Sequence, residues 1–134
     1  MKILVAEDEP EILRIYQLLF AEKGYQVIAT RDGRECLEAY KSELNKITDN
    51  DPPFDLVLLD YRMPEKNGIE VAKQILRMRS DQKILMVTAY KDQFELKDKD
   101  LEKMNIMEKP FDIDELLSTI SQLGKQTSIL NHNH

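Results

Sequence analysis

Short apolar runs alternate along this chain with longer stretches of helical period. "KILVA" (2–6) reads as a strand and "PEILRIYQLLFAEKG" (10–24) as a helix. In that helix Ile12, Ile15, Tyr16 and Leu19 fall at i, i+3, i+4 and i+7, Pro10 suits a first turn and Gly24 a C-terminal stop. "YQVIA" (25–29) is a second strand, and a second helix begins at about Asp32, with Glu35 at capping-box spacing and Leu37, Tyr40 and Leu44 turned inward. The polar, proline-bearing "NKITDNDPPF" (45–54) is a loop within the domain, and "DLVLL" (55–59) is a third strand. After Asn67-Gly68 a third helix carries Val71, Ala72, Ile75 and Leu76 on one face, and "KILMVTA" (83–89) is a fourth strand. "YKDQFELKDKDLEKMN" (90–105) reads as a thinly packed helix whose apolar residues are Phe94, Leu96, Leu101 and Met104. A short strand around 106–107 precedes a last helix that starts near Asp112, with Ile113, Leu116, Leu117 and Ile120 at helical spacing. The pattern predicts one domain over residues 1–125 and a disordered tail over 126–134.

Five strands alternating with five helices imply an α/β fold, a parallel sheet covered on both faces with right-handed crossovers. The runs "LVLL" and "ILMV" suit strands buried on both faces. Ligands of such folds bind beyond the carboxyl ends of the strands. Glu7 and Asp8 follow the first strand, Asp60 the third, Thr88 ends the fourth and Lys109 follows the fifth, so all five are expected on one rim.

Composition narrows the setting. A chain of 134 residues with 42% hydrophobic content can bury a single core. With 25 acidic and 19 basic residues the net charge is −6, which offers no basic field for direct nucleic-acid binding. Cys36, the single cysteine, cannot form an internal disulfide, and "MKILVAEDE" turns acidic too early for a signal-peptide core. No apolar run reaches the length of a membrane span. The expectation is a reduced, soluble, cytoplasmic protein.

Three carboxylates crowded on that rim repel one another by roughly 1–4 kcal/mol per close pair. A hard divalent cation, Mg²⁺ above all, relieves this through oxygen ligands, and Lys109 supplies a second positive charge. One carboxylate is then placed to attack phosphorus, with the Thr88 hydroxyl donating to a phosphoryl oxygen. The chemistry implied is phosphoryl transfer to an aspartate.

At these residues the chain resembles a known family. "ILVAEDEP", "LLDYRMPEKNG", "VTA" and "EKPF" resemble the signature blocks of response-regulator receiver domains, and the likeness covers about residues 2–124. The resemblance implies a doubly wound, flavodoxin-like sheet in the order 2-1-3-4-5. It also implies transfer of a phosphoryl group to Asp60 from a sensor histidine kinase or phosphotransfer protein, and signalling to a downstream effector protein. By the same resemblance Asp8 binds Mg²⁺ directly, Glu7 mostly through water, Asp60 through one oxygen and Arg62 through its backbone carbonyl, while Thr88 and Lys109 grip the phosphoryl oxygens. Ala89 leaves the site open, Met63-Pro64 and Asn67-Gly68 shape the loop after Asp60, and Arg62 and Tyr90 stand where phosphoryl lifetime is tuned. The protein is then no enzyme with a separate substrate; its chemistry is its own phosphorylation and dephosphorylation.

Each of these residues has a plainer reading. Asp60 alone would pass for a cap or a surface acid, Glu7-Asp8-Glu9 for an acidic first turn favouring the helix dipole, Thr88 for a strand residue and Lys109 for a solvated lysine. Cys36 reads as a packed thiol, and His132 and His134 as tail residues. The chain departs from the family pattern at Glu7, where aspartate is more frequent, and at Ile106, where an aromatic residue usually serves as a rotameric switch. Isoleucine is stiff at χ1 and has no hydroxyl to expose, so the signal is expected to pass through 90–105. Other classes remain open. A haloacid-dehalogenase-type phosphatase would need a second acid where Arg62 stands, a flavin-binding domain would need a hydroxyl- and glycine-rich loop in place of Glu7-Asp8-Glu9, and a binding module without chemistry would leave Thr88 and Lys109 unexplained.

Overall fold

The computed structural model of the chain describes residues 1–64, 66–89 and 104–132, with side chains of the last helix described to Gly124. Five strands, β1 (Lys2–Ala6), β2 (Gln26–Thr30), β3 (Leu56–Asp60), β4 (Ile84–Thr88) and β5 (Asn105–Glu108), form one parallel sheet in the order β2-β1-β3-β4-β5. Four helices are described: α1 (Pro10–Glu22), α2 (Gly33–Lys46), α3 (Gly68–Met78) and α4 (Ile113–His132). The helix expected within 90–105 falls almost wholly outside the described residues. At its end Met104 is buried and Asn105 already opens β5.

Both faces of the sheet are covered, which is why its central strands are apolar throughout rather than alternating. On one face Cys36, Leu37 and Tyr40 of α2 and Val71, Ala72 and Ile75 of α3 pack on Leu4, Val57, Leu59 and Met86. On the other, Leu13, Tyr16 and Phe20 of α1 and Leu116, Ile120 and Leu123 of α4 pack on Ile3, Val5, Leu58 and Val87. The caps follow the sequence: Asp32 accepts from the Glu35 N–H at 2.8 Å, Asn67 from Glu70 at 3.0 Å and Asp112 from Glu115 at 2.7 Å.

Three expectations change. The buried stripe of α1 is Leu13, Tyr16 and Phe20, and Ile15 is 49% exposed. Apolar residues occupy most of this helix, so periodicity fixes its type but not which part of its wide apolar arc meets the sheet. Ile113, expected at the inner face of α4, is 51% exposed. The α4 backbone also runs on to His132, beyond the expected boundary at Gln126; no glycine or proline after Gly124 interrupts it. No helix among the described residues is long and apolar enough to cross a membrane.

Candidate functional site

Strand register places the acids. Ala6 pairs with Leu59, so Glu7 and Asp60, the next residue of each strand, leave adjacent strands at one level. Their backbones are held there: the Glu7 N–H donates to the Thr30 carbonyl at 3.1 Å and the Tyr61 N–H to Val87 at 2.9 Å. Thr88 pairs with Glu108, and the Lys109 N–H donates to the Thr88 carbonyl at 2.8 Å, which turns the lysine over the same rim.

Carboxylate oxygens of Glu7, Asp8 and Asp60 lie within 4.8 Å of one another. The Lys109 ammonium stands 3.5 Å from Asp60 Oδ1 and 3.9 Å from Glu7 Oε1. Asp8, Asp60, Arg62, Thr88, Ala89 and Lys109 line an open cleft of about 350 Å³, while Glu7 lies buried behind it. Asp8, Asp60, Arg62, Thr88 and Lys109 thus meet at one cleft, with Glu7 behind it. Tyr90 lies outside the described residues.

Three carboxylates crowd beside the Lys109 ammonium. Burial, then the Asp60 carboxylate, push the Glu7 carboxyl up to about 8, and its Oε1 is buried with no hydrogen-bond partner among the described residues. An orphaned buried oxygen beside two further carboxylates, with only oxygen donors converging, suits a hard divalent cation such as Mg²⁺. Two residues of the site were not singled out from sequence. Tyr61 lines the cleft, next to Asp60. Tyr16 was read only as a core position, yet burial and then the charges of Glu7 and Asp60 raise its phenol pKa. It stands within α1 while Asp8 precedes that helix, and no local signal marks it. Cys36 is fully buried with its thiol pushed up to about 12 by burial, as a packed, unreactive thiol should be.

Comparison with known proteins agrees with this picture. The family profile of the response regulator receiver domain matches residues 3–121. The transcriptional regulatory protein DltR of Streptococcus agalactiae is 34% identical over 134 residues, 99% of this chain and 56% of its own length. PhoP of Bacillus subtilis, the alkaline phosphatase synthesis transcriptional regulatory protein, is 33% identical over 96% of this chain and 50% of its own. The chain therefore spans about half the length of the curated relatives it matches. Among solved structures, the response regulator TrrA of Thermotoga maritima in complex with Mg²⁺-BeF is 32% identical, with a TM-score of 0.73 over 91% of this chain and 97% of its own. TrrA has also been solved in complex with the histidine kinase ThkA.

Proposed function

The chain belongs to the response regulator receiver domain family, and from that premise we propose that Asp60 accepts a phosphoryl group from a partner kinase's phosphohistidine and so switches a protein-interaction surface. The observation that carries this reading is the Lys109 ammonium 3.5 Å from Asp60 Oδ1, with Glu7 and Asp8 clustered on the same carboxylate. A carboxylate with a cation beside it and an open cleft in front is what attack on phosphorus requires.

The carboxylates of Glu7, Asp8 and Asp60 and the backbone carbonyl of Arg62 would hold Mg²⁺, which when bound supplies positive charge to the acids and to the incoming phosphoryl oxygens. An Asp60 oxygen forms the new bond to phosphorus as the bond to the donor imidazole breaks. Lys109 pairs with a phosphoryl oxygen and the Thr88 hydroxyl donates to another. Ala89, small and exposed, keeps the entrance open. An apolar groove of about 360 Å³, lined by Ile12, Ile15, Leu19, Phe111 and Ile113, shares Lys109 with the cleft. A kinase or phosphotransfer protein seated there would deliver its histidine to Asp60. A downstream effector protein reads the result, in the cytoplasm, with neither nucleic acid nor membrane bound by this segment.

With Mg²⁺ and acetyl phosphate the wild-type protein should gain one acid-stable, base-labile phosphoryl group, read by intact mass, and Asp60→Asn should gain none. Labelling of Asp60→Asn at the wild-type rate would overturn the assignment.

A further inference from the structure

The turn between β2 and α2 touches both halves of the acid site. On one side the Glu7 N–H donates to the Thr30 carbonyl at 3.1 Å, and the buried Thr30 hydroxyl donates to the Val5 carbonyl at 2.7 Å, so the exit of β1 is tied twice to the end of β2. On the other side Gly33, the first residue of α2, stands against the loop that leaves Asp60. A Cβ on Gly33 would lie 2.8 Å from Val71 Cγ2 and 2.9 Å from both the Cβ and the backbone oxygen of Lys66. Two of those three atoms cannot rotate away. Gly33 does not have the left-handed backbone that favours glycine; it is required here for space.

The loop cannot yield in the opposite direction. The Gly68 N–H donates to the Tyr61 carbonyl at 2.8 Å, and a Cβ on Gly68 would already lie 2.6 Å from the Asp60 carbonyl oxygen. Tyr61 and Lys66 are therefore held against the first turns of α3 and α2. Asp32, whose carboxylate accepts the Glu35 N–H at 2.8 Å, keeps the first turn of α2 wound at this contact.

We propose that the turn from Thr30 to Gly33 is a brace that sets the spacing between Glu7-Asp8 and the loop carrying the Arg62 carbonyl, with Gly33 and Asp32 as positioning residues for the metal. The proposal rests on the reading above that a divalent cation sits among Glu7, Asp8, Asp60 and Arg62. Restoring ordinary contact, at 3.4 Å or more, around a Cβ on Gly33 displaces the loop by about half an ångström. Mg²⁺ demands near-ideal octahedral geometry at roughly 2.0–2.1 Å, so a shift of that size weakens its binding without touching a ligand.

Titration with MgCl₂, followed by the amide NMR signals of Tyr61 and Arg62, tests this. Gly33→Ala should bind Mg²⁺ about tenfold more weakly than wild type, the lower end of losses from residues behind the ligands. Asp32→Ala should also weaken binding, and Asp32→Asn should restore it, because an amide oxygen still accepts the Glu35 N–H and the charge is absent from both variants. Gly24→Ala is the control: Gly24 has φ +79° with nothing within 4 Å of a Cβ, so alanine strains the backbone remote from the site and should leave Mg²⁺ affinity unchanged. Gly33→Ala within twofold of wild type, or Gly24→Ala weakened as much, overturns the brace. Should Gly33→Ala not fold, Asp32→Ala binding as tightly as Asp32→Asn overturns it. A wild type without Mg²⁺-dependent shifts removes the metal reading, and the brace with it; normal wild-type binding with unaffected variants removes the brace alone.

Discussion

Asp60 closes a run of four apolar residues at the exit of β3, where the chain leaves the covered sheet and the carboxylate reaches the cleft. Glu7 and Asp8 share a sequence position in all but one step, yet Asp8 lines the cleft and Glu7 lies behind it. A ligand that meets the cation directly matters more than one acting through water, so Asp8→Asn should weaken Mg²⁺ binding by tenfold or more, roughly, and Glu7→Gln by less. Titration of the metal against tyrosine fluorescence measures both; equal affinities would place the cation elsewhere. The rim position of the acids, Thr88 and Lys109 was legible in the sequence because each stands at or just past the end of an expected strand, where the fold rule puts ligands, though Thr88 and Lys109 drew their meaning only from the acids beside them. Gly33 was not, because its significance depends on Lys66 and Val71, which approach only when α2 and α3 are packed.

Elements were legible where period and length left one answer. All five strands are found within one or two residues of their expected bounds, since an apolar run closed by polar residues can hardly be anything else between helices. The face of α1 was misjudged because apolar side chains surround most of that helix. A further tie at the opposite end of the sheet had no sequence signal at all. The Tyr40 hydroxyl donates to Gln82 Oε1 at 2.8 Å, and Gln82 Nε2 donates to the Phe54 and Lys83 carbonyls at 2.9 and 3.1 Å, joining α2 to the entrances of β3 and β4. Tyr40→Phe leaves a buried amide oxygen without its donor and should lower stability by about 1–2 kcal/mol in urea unfolding. Because this network lies at the entrances of the strands and the acids lie at their exits, Mg²⁺ affinity should not change; a coupled loss would contradict that separation.

For the molecule as a whole, the strand order came from family likeness, since hydrophobic period gives strands but not their neighbours, and the register then brought the acids level. Crowding them has a cost that depends on pH. The Glu7 carboxyl titrates near 4.5 in the unfolded chain and is pushed up to about 8 in the folded one, so between these values the folded state holds a proton that the unfolded state has released. Stability of the metal-free protein must then fall as pH rises through that window, by an amount on the order of a few kcal/mol. Glu7→Gln cannot ionise and should flatten the fall, as read by urea unfolding in chelator between about pH 5 and about pH 8. An unchanged slope would assign the pH dependence to another group. The chain order of β5 has a further consequence, at the ribosome. β1, β3 and β4 emerge first and bring Glu7, Asp8, Asp60 and Thr88 with them, but Lys109 follows β5. Translation of a domain proceeds from the N-terminus at roughly 5–20 residues per second. A nascent chain halted before β5 thus carries the acids of the rim without the Lys109 ammonium that stands 3.5 Å from Asp60 Oδ1 in the finished fold.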